Sequence, residues 1–343
     1  MNNNIVFLFQ FFFLPDKARQ TTKQMKAVFF NNNLYVDNAH KPPEIQKDWA
    51  IINVNKAGIC KTDLELTKGY MGFKGILGHE FIGTIKNCHD DRMIGKRVAG
   101  EINVSCGHCE MCKKNLERHC YKRKVLGIQG LNGCMAEYCS LPLANLIEIP
   151  SEINDDRAIF IEPLSAACEI LEQVKLSGEE RVIVLGDGNL GILCSWVLST
   201  VCSNITLLGH HRSKLDLSKW NNLKITNNVD DIKPGADIVI DATGSKTGLS
   251  VAISLCRPRG IVVLKTTISQ EHSLNLASVV IQEINIIGSR CGQFKDGIKM
   301  LLNNPDMPLE RLISCKYPLE KATEAFKVAK SSESIKVILE NIC

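Results

Sequence analysis

The sequence has no apolar run long enough to span a membrane, for which a helix needs about 20 residues. The main candidate, residues 5–14, is much shorter and is interrupted by Gln10. It lacks the positively charged start of a secretory signal, and no small-residue cleavage site follows it closely. We therefore expect no membrane partner and predict that residues 1–24 lie outside the fold, with a weak signal or anchor as the alternative.

A strong excess of one charge is missing as well. The formal net charge is +4 over 343 residues, and the basic residues are scattered along the chain. This distribution does not indicate a nucleic-acid partner. With 45% hydrophobic and 23% charged residues, the composition is ordinary for a globular protein, and the length predicts two domains, each with its own core.

Fifteen cysteines is a high and odd number, but a chain of this length does not need a disulfide framework. Cys106, Cys109, Cys112 and Cys120 form a C-x2-C-x2-C-x7-C pattern, which favours bound metal and a reducing compartment, so we expect a cytoplasmic protein. Tetrahedral zinc needs four ligands at about 2.3 Å, and short spacings let one loop supply them. The pattern predicts a closed structural zinc site. An iron–sulfur cluster is the competing interpretation, but its bacterial pattern has a shorter last gap followed by proline.

A second metal site is indicated in residues 58–83, which contain GICKTDLE and GHEFIG. They offer a thiolate at Cys60, an imidazole at His79 and nearby carboxylates, a mixed set that suits a zinc with a position open for water or substrate. Two unrelated core residues are the alternative. Glu162, just before Pro163 at a predicted helix start, is either an ordinary helix-start acid or a carboxylate directed at this metal.

Residues 25–155 are predicted to form a compact β-barrel-like domain, because short β-type segments alternate with Gly-, Pro- and Asn-rich turns. These segments are residues 27–30, 49–55, 81–86, 97–99 and 135–141. The tail has helical patterns at residues 295–302 and 319–329 and a strand pattern at 334–339. We expect this tail to return and complete the first domain.

Residues 156–290 are predicted to form a doubly wound parallel sheet. A buried-strand run at 181–185 leads into the glycine loop and then into a helical stretch. This order is typical of dinucleotide binding, because the glycines let the pyrophosphate approach the N–H groups at the helix start. The loop residues are Gly186, Gly188, Asn189, Leu190 and Gly191. The further strand candidates are residues 205–208, 224–225, 238–241, 261–264 and 284–287.

The residues after the second of these strands bear on the choice of cofactor. An NAD site is expected to carry an acidic residue there, which binds the ribose hydroxyls. The segment Gly209-His-His-Arg-Ser-Lys214 contains none, so a 2′-phosphate can pair with Arg212, His210 and Lys214. We predict that NADP(H) is favoured over NAD(H), with a solvated basic turn as the alternative.

Taken together, these motifs resemble those of zinc-dependent medium-chain dehydrogenases and follow the order found in that family. The matching segments are GICKTD, GHEFIG, the four-Cys loop, IEPL, GDGNLG and DATGS. The resemblance covers residues 25–343, and GHE and IEPL are closer to the polyol, threonine and sugar dehydrogenase branches. It implies an α/β protein with a β-rich GroES-like catalytic domain (residues 25–155 and 291–343), a doubly wound Rossmann domain (residues 156–290) and assembly into a homodimer or homotetramer.

The resemblance also implies roles for individual residues. Cys60, His79 and Glu162 surround a catalytic zinc, Glu80 is a ligand that exchanges with water, and Asp63 hydrogen-bonds His79. The chain then binds two zinc ions. It interconverts an alcohol, such as a polyol or sugar-like secondary alcohol, and its carbonyl by hydride transfer with the nicotinamide.

Two departures from the family pattern bear on proton transfer. The usual glycine after the catalytic cysteine is Lys61, and the usual relay histidine is Glu65. Thr62 is at the position of the hydroxyl relay and is expected to pass the proton to the cofactor ribose, or to Glu65 and solvent. One alternative is a zinc-independent enone or quinone reductase, against which the metal ligands argue. The other is a non-catalytic NADP-binding sensor, against which Thr62 and the full ligand set argue.

Overall fold

The computed structural model of the protein describes residues 24–267 and 273–340. The predicted N-terminal extension, apart from Gln24, lies outside the described residues. Within the described ranges, no helix has both the length and the apolar character needed to cross a membrane. Every cysteine in these ranges is a free thiol.

The chain up to residue 155 consists mainly of short strands and loops, as predicted. Its strands are β1 Met25–Asn31, β2 Asn33–His40, β3 Trp49–Ile59, β4 Gly75–Ile76, β5 Glu80–Cys88, β6 Arg97–Gly100, β7 Asn103–Val104, β8 Lys124–Leu126, β9 Gly130–Leu131, β10 Tyr138–Pro142 and β11 Leu146–Glu148. Its helices are α1 Lys61–Leu66, α2 Glu110–Lys113 and α3 Asp155–Ala158. In β3, the buried Ala50, Ile52 and Val54 alternate with half-buried residues, which is the pattern of a strand with one face on a core.

Helices and strands alternate in the next part of the chain. The elements are α4 Ile161–Gln173, β12 Arg181–Leu185, α5 Asn189–Ser199, β13 Asn204–Leu208, α6 Arg212–Leu217, β14 Lys224–Thr226, β15 Ala236–Asp241, α7 Gly248–Leu255, β16 Cys256–Leu264, α8 Ala277–Ile281 and β17 Asn285–Gly288. The strands form one parallel sheet in the order β14-β13-β12-β15-β16-β17. In such a sheet a dinucleotide binds at the carboxyl ends of the strands, where the order reverses between β12 and β15. The predicted doubly wound sheet is confirmed.

The last part of the chain returns to the β-rich part. Its elements are α9 Phe294–Asn303, β18 Ile313–Pro318, α10 Ala322–Ala329 and β19 Lys336–Glu340. β19 pairs antiparallel with β3, where Val337 lies opposite Ile59, and parallel with β18. The resulting sheet has the order β11-β6-β5-β3-β19-β18, with β10 also paired to β3. The predicted return of the tail is therefore present, while the residue boundaries of the domains stay a prediction.

Most strand ends differ from the prediction by one to five residues, and the ends of β10 and β3 bear on the site. β10 starts at Tyr138 rather than at residue 135, because Met135 and its neighbours bond to residues 28 and 77 outside a regular strand. β3 continues past residue 55 to Ile59, because its end pairs with both β5 and β19. This extension carries the sheet directly up to Cys60.

Candidate functional site

Cys60 lies at the junction where β3 ends and α1 begins. It caps α1 with an extended backbone. The Asp63 carboxylate, one turn into the helix, accepts the Cys60 N–H at 2.8 Å, so the helix start is fixed by a completely buried acid. Thr62 Oγ1 lies 3.7 Å from the Cys60 sulfur. This junction therefore presents a thiol and a hydroxyl side by side.

His79 immediately precedes β5, and the pairing of β5 with β3 brings it to Cys60. Its Nδ1 lies 3.3 Å from Asp63 Oδ1, but the geometry falls short of a hydrogen bond, and neither atom has another partner among the described residues. The predicted Asp63–His79 hydrogen bond is thus present as a close contact. Burial alone would lower the pKa of His79, but Asp63 and Cys60 raise it well above the usual histidine value.

Glu80 is the first residue of β5 and is almost completely buried. Its Oε2 lies 2.5 Å from Nζ of Lys336, the first residue of β19. Its other oxygen, Oε1, is buried and has no hydrogen-bond partner in the part of the chain that the structure describes. Leaving such an atom unpartnered costs roughly 1–3 kcal/mol, so a bound cation would stabilise it.

The ligand atoms of Cys60, His79 and Glu80 all lie within 4.8 Å of one another. Thiolate, imidazole and carboxylate are the ligand types of zinc, and Glu80 Oε1 adds an unused acceptor, so these residues fit a zinc ion. Glu162, the second residue of α4, lies beside this group without belonging to it. Burial raises the pKa of Glu162 to about 7, while His79 lowers it and Glu80 raises it further.

The four-Cys loop runs from β7 to β8 and contains α2. The sulfur atoms of Cys106, Cys109, Cys112 and Cys120 lie within 4.8 Å of one another, and Cys109 Sγ is 3.5 Å from that of Cys112 and 3.7 Å from that of Cys120. A tetrahedron with metal–sulfur bonds of about 2.3 Å has sulfur–sulfur edges of about 3.8 Å, so these thiols fit one zinc ion. Backbone N–H groups of Cys112 and Tyr121 lower the pKa of Cys109 to about 6, which favours the thiolate.

The glycine loop joins β12 to α5, and all five loop residues named from the sequence lie in it or in the first turn of α5. These are Gly186, Gly188, Asn189, Leu190 and Gly191. Gly188 caps α5, and a Cβ there would meet no atom of the described residues within 4 Å. Asn189 Oδ1 is buried with no hydrogen-bond partner in the same described part. An open space before a helix N-terminus fits a dinucleotide pyrophosphate, because the backbone N–H groups there are donors.

The basic residues predicted to favour a 2′-phosphate follow β13. Gly209 and the exposed His210 form the turn, and Arg212 is the first residue of α6. Arg212 is exposed, and its Nε lies 3.3 Å from Asp216. Lys214 is buried, and burial lowers its pKa.

A carboxylate from outside this segment reaches the turn. Asp187, in the glycine loop, accepts the backbone N–H of His210 at 2.7 Å and that of His211 at 2.6 Å. The sequence segment after β13 contains no acid, and the acid comes instead from the loop after the neighbouring strand β12.

Lys61 and Glu65, which follow Cys60 in α1, extend away from the group of Cys60, His79 and Glu80. The Glu65 carboxylate forms an ion pair with Lys68 at 2.8 Å and is partly exposed, so it is not brought to the cluster. The Lys61 amino group instead lies against Gly244, in the loop after β15. Lys61 is also close enough to Lys214 to lower the pKa of that amine, after the larger effect of burial. Lys61 therefore connects α1 with the carboxyl ends of the parallel strands.

Sequence reasoning missed Lys336 and Asp187. Lys336 interrupts the apolar run at residues 335–339, in a segment that was predicted to be a strand. A buried lysine is almost always paired, so a single lysine in such a run was a signal for a buried acid elsewhere in the chain. Asp187 lies within the glycine motif itself, between Gly186 and Gly188, which were predicted to bind the cofactor.

Two family models match the chain. The model of the alcohol dehydrogenase GroES-like domain matches residues 46–151, and that of the glucose dehydrogenase C-terminus matches residues 155–341, more than half of the chain.

Individual proteins match over most of their length. The D-xylulose reductase A of Aspergillus oryzae is 26% identical over 320 residues, which are 85% of this chain and 89% of that protein. The sorbitol dehydrogenase of Bombyx mori is 25% identical over 322 residues, 87% of this chain and 92% of that protein. A crystal structure of an Escherichia coli CFT073 alcohol dehydrogenase with NADH has the same fold, with a TM-score of 0.83, 24% identity, and coverage of 92% of this chain and 99% of that one.

Proposed function

The chain belongs to the zinc-dependent medium-chain dehydrogenases, and from this membership we propose that its buried thiol–imidazole–carboxylate cluster is the catalytic zinc site. The protein is an oxidoreductase that acts on CH–OH groups and interconverts an alcohol and its carbonyl with a nicotinamide cofactor. The proposed ligands are Cys60, His79 and Glu162, with Glu80 as the ligand that exchanges with water. The observation that carries this assignment is the close group of Cys60, His79 and Glu80, in which the buried Glu80 Oε1 has no partner among the described residues.

Residues around the cluster hold these ligands in place. When bound, zinc polarises the substrate oxygen and the nicotinamide exchanges hydride with the substrate carbon. Asp63 fixes the Cys60 backbone through its N–H and lies against His79, so that thiol and ring keep one orientation. Lys336 binds Oε2 of Glu80, while Oε1 has no hydrogen-bond partner in the described chain.

Thr62 is the proposed proton carrier. Its Oγ1 lies beside the Cys60 sulfur and accepts the proton of the substrate hydroxyl as the carbonyl forms. Thr62 is proposed to pass this proton to the cofactor ribose, or to solvent through Glu65, which lies one helical turn further along α1 and is partly exposed.

A second zinc ion is proposed at the four cysteines. All four coordination positions would be filled by sulfur, which leaves no room for substrate. The role of this site is therefore to hold the loop between β7 and β8. The free thiols of the described cysteines fit the reducing environment of the cytoplasm, the proposed location.

The preferred cofactor is proposed to be NADP(H). The support is the basic character of the segment after β13, where His210 and Arg212 are exposed and Lys214 follows. Arg212 is suited to a phosphate because its guanidinium is planar and always charged. Lys61 adds a further cation from α1, beside Gly244 and close to Lys214.

The substrate class is proposed to be a polyol or sugar-like secondary alcohol. The support is the chemistry named for two relatives, a D-xylulose reductase and a sorbitol dehydrogenase. Two acidic side chains at the cluster, Glu80 and Glu162, fit a substrate with several hydroxyl groups, because carboxylates accept hydrogen bonds from them.

The chain is proposed to form a homodimer across β17, the outer strand of the parallel sheet. Val280 and Ile281 in the preceding helix α8 are 76% and 79% exposed. An outer strand next to exposed apolar side chains can pair with the same strand of a second copy. Light scattering should give a dimer for the protein and a monomer for a Val280→Asp, Ile281→Asp variant. A monomer for the unchanged protein would refute this assembly.

Metal content measured together with polyol turnover tests the proposed function. The purified protein should contain two zinc ions per chain, and a mild chelator should remove one of them together with turnover. Cys60→Ser should lose the labile zinc and reduce kcat/KM by roughly 100-fold or more, because metal polarisation is worth several kcal/mol. Cys315→Ser, at a free cysteine on β18, is the matched control and should keep both ions and full turnover.

Other outcomes would identify the alternatives. One tightly bound zinc with chelator-insensitive reduction of enones would indicate a zinc-independent reductase. NADPH binding without turnover of any carbonyl in a broad panel would indicate a sensor. Full zinc content and full turnover in Cys60→Ser would contradict the proposed ligand set.

A further inference from the structure

Asp187 connects the glycine loop after β12 with the turn after β13. Its Oδ2 accepts the N–H of His210 at 2.7 Å and the N–H of His211 at 2.6 Å. The Nδ1 of His211 lies 3.0 Å from the same oxygen. Asp187 is 7% exposed. One carboxylate therefore binds the backbone of two successive residues and the ring of the second.

The fit between Asp187 and the turn depends on Gly209. A Cβ at residue 209 would lie 2.7 Å from Asp187 Oδ2, well inside van der Waals contact, and closer still to the Asp187 Cβ. Only glycine leaves room for the carboxylate at this place. Burial would raise the pKa of Asp187, but the N–H and ring of His211 lower it below the usual value, so the group is negative at neutral pH.

This turn is where a doubly wound fold meets the adenosine ribose of its cofactor. In such folds the residue at the end of the second strand decides between a ribose hydroxyl, bound by an acid, and a 2′-phosphate, bound by an arginine. Here Arg212, the first residue of α6, follows the turn after β13, while the acid comes from the loop after β12. The backbone N–H groups of His210 and His211, which could bind an anion, already bind Asp187.

The basic side chains around the turn already have acidic neighbours. Arg212 lies 3.3 Å from Asp216, and Lys214 is buried, with Glu333 and Asp187 among its charged neighbours and Lys61 as a repelling one. A 2′-phosphate at this turn would bring close to two negative charges next to a fixed carboxylate. Like charges at a protein surface repel each other, and salt partly screens this repulsion, so we expect an effect on affinity of roughly tenfold.

We propose that Asp187 is a specificity-determining residue of the cofactor site, which disfavours a 2′-phosphate and limits the NADP(H) preference that Arg212 provides. This inference rests on the proposed dinucleotide site. It assigns to the glycine loop a role that is usually filled by the residue after the second strand.

The test uses the full chain and two probes that differ only in the 2′-phosphate, AMP and adenosine 2′,5′-bisphosphate, with Kd measured by calorimetry at fixed salt. Asp187→Asn keeps the size of the side chain and one acceptor oxygen but removes the charge. It should improve the affinity for the bisphosphate relative to AMP by roughly tenfold. Asp230→Asn, at an exposed site after β14, removes the same charge from the same sheet and should leave the ratio within about twofold.

Three outcomes would overturn the inference. An unchanged ratio in Asp187→Asn, with both probes bound as before or both weakened equally, would make Asp187 purely structural. A selective loss of bisphosphate binding would mean that Asp187 builds a phosphate site instead of opposing it. If the unchanged protein binds neither probe at millimolar concentration, the dinucleotide site itself is refuted. The thermal midpoint of each variant separates these cases from a folding defect, and Asp187→Ser supplies a second uncharged side chain if Asp187→Asn is unstable.

Discussion

Replacing Lys336 by methionine tests how much the buried ion pair between Lys336 and Glu80 stabilises the fold around the proposed zinc ligands. The Lys336 amine lies 2.5 Å from Glu80 Oε2, and both side chains are at most 2% exposed. Methionine fills a similar volume but has no charge, so the Glu80 carboxylate would be left buried without its cation. Breaking a buried ion pair in this way costs about 3–5 kcal/mol. For a chain of this size, about 2 °C per kcal/mol gives a fall in Tm of roughly 6–10 °C.

The measurement is thermal unfolding after a mild chelator has removed labile zinc, so that no metal replaces the lost cation. Lys316→Met is the matched control, because Lys316 on the neighbouring strand β18 pairs with Asp156 at 2.6 Å but is 36% exposed. A surface pair contributes about 0–1 kcal/mol, so this control should shift Tm by no more than about 2 °C. Glu80→Gln combined with Lys336→Met should recover much of the loss, because the double variant buries no unpaired charge.

The pH dependence of this effect has a definite sign. Burial would lower the pKa of Lys336, but Glu80 and Cys60 raise it above the usual lysine value. A raised pKa of a base stabilises the fold below the unfolded-state pKa, and the effect is lost as pH rises through the folded-state value. The Tm difference between the protein and Lys336→Met should therefore be constant between about pH 7 and 9. A shift below about 2 °C, or a double variant no more stable than the single one, would refute the reasoning.

Three further predictions concern other parts of the molecule. After complete zinc removal, Cys109 should be the first thiol of the four-Cys loop to react with iodoacetamide, and its reaction rate should rise through about pH 6. Equal reaction rates at all four cysteines would contradict this prediction. Arg118 binds the largely buried Glu169 at 2.6 Å and the Cys291 carbonyl at 2.5 Å. Arg118→Met should therefore lower Tm by several degrees, and Arg118→Lys, which keeps the charge, should lower it by less. An equal fall in Tm for both variants would argue against a charge effect. Thr62→Val should lower kcat by roughly 100-fold or more at unchanged zinc content, while Thr62→Ser, which keeps the hydroxyl, should retain most of the kcat. Equal activity of the two variants would exclude a proton-carrying role for Thr62.

The sequence predicted those parts of the site whose residues lie close together along the chain. The four-Cys loop and the glycine loop are such cases, because ligand spacing and the order strand–glycines–helix are local properties. The strands of the parallel sheet were predicted for the same reason, since each is a short apolar run between turns.

The parts that were missed depend on contacts between distant strands. Glu80 and Lys336 are 256 residues apart, and only the registers of β5 and β19 on β3 bring them together. Asp187 and His211 are 24 residues apart and meet because β12 and β13 are parallel neighbours. A shift of one residue in the register of β5 or β19 on β3 would turn Glu80 or Lys336 to the opposite face, and no local sequence pattern specifies this register.

The position of β19 between β3 and β18 also constrains the order of events during synthesis. Lys336 is made 256 residues after Glu80, which at 5–20 residues per second is a delay of roughly 10–50 s. All strands of the parallel sheet, from β12 to β17, leave the ribosome within that interval and can fold as one continuous unit. The sheet that contains β3 and β5, in contrast, lacks β19 beside β3 until the end of synthesis, and until then Glu80 has no Lys336 to pair with. The nascent chain therefore has all strands of the parallel sheet before it has all strands of the sheet around β3, although β3 is made first.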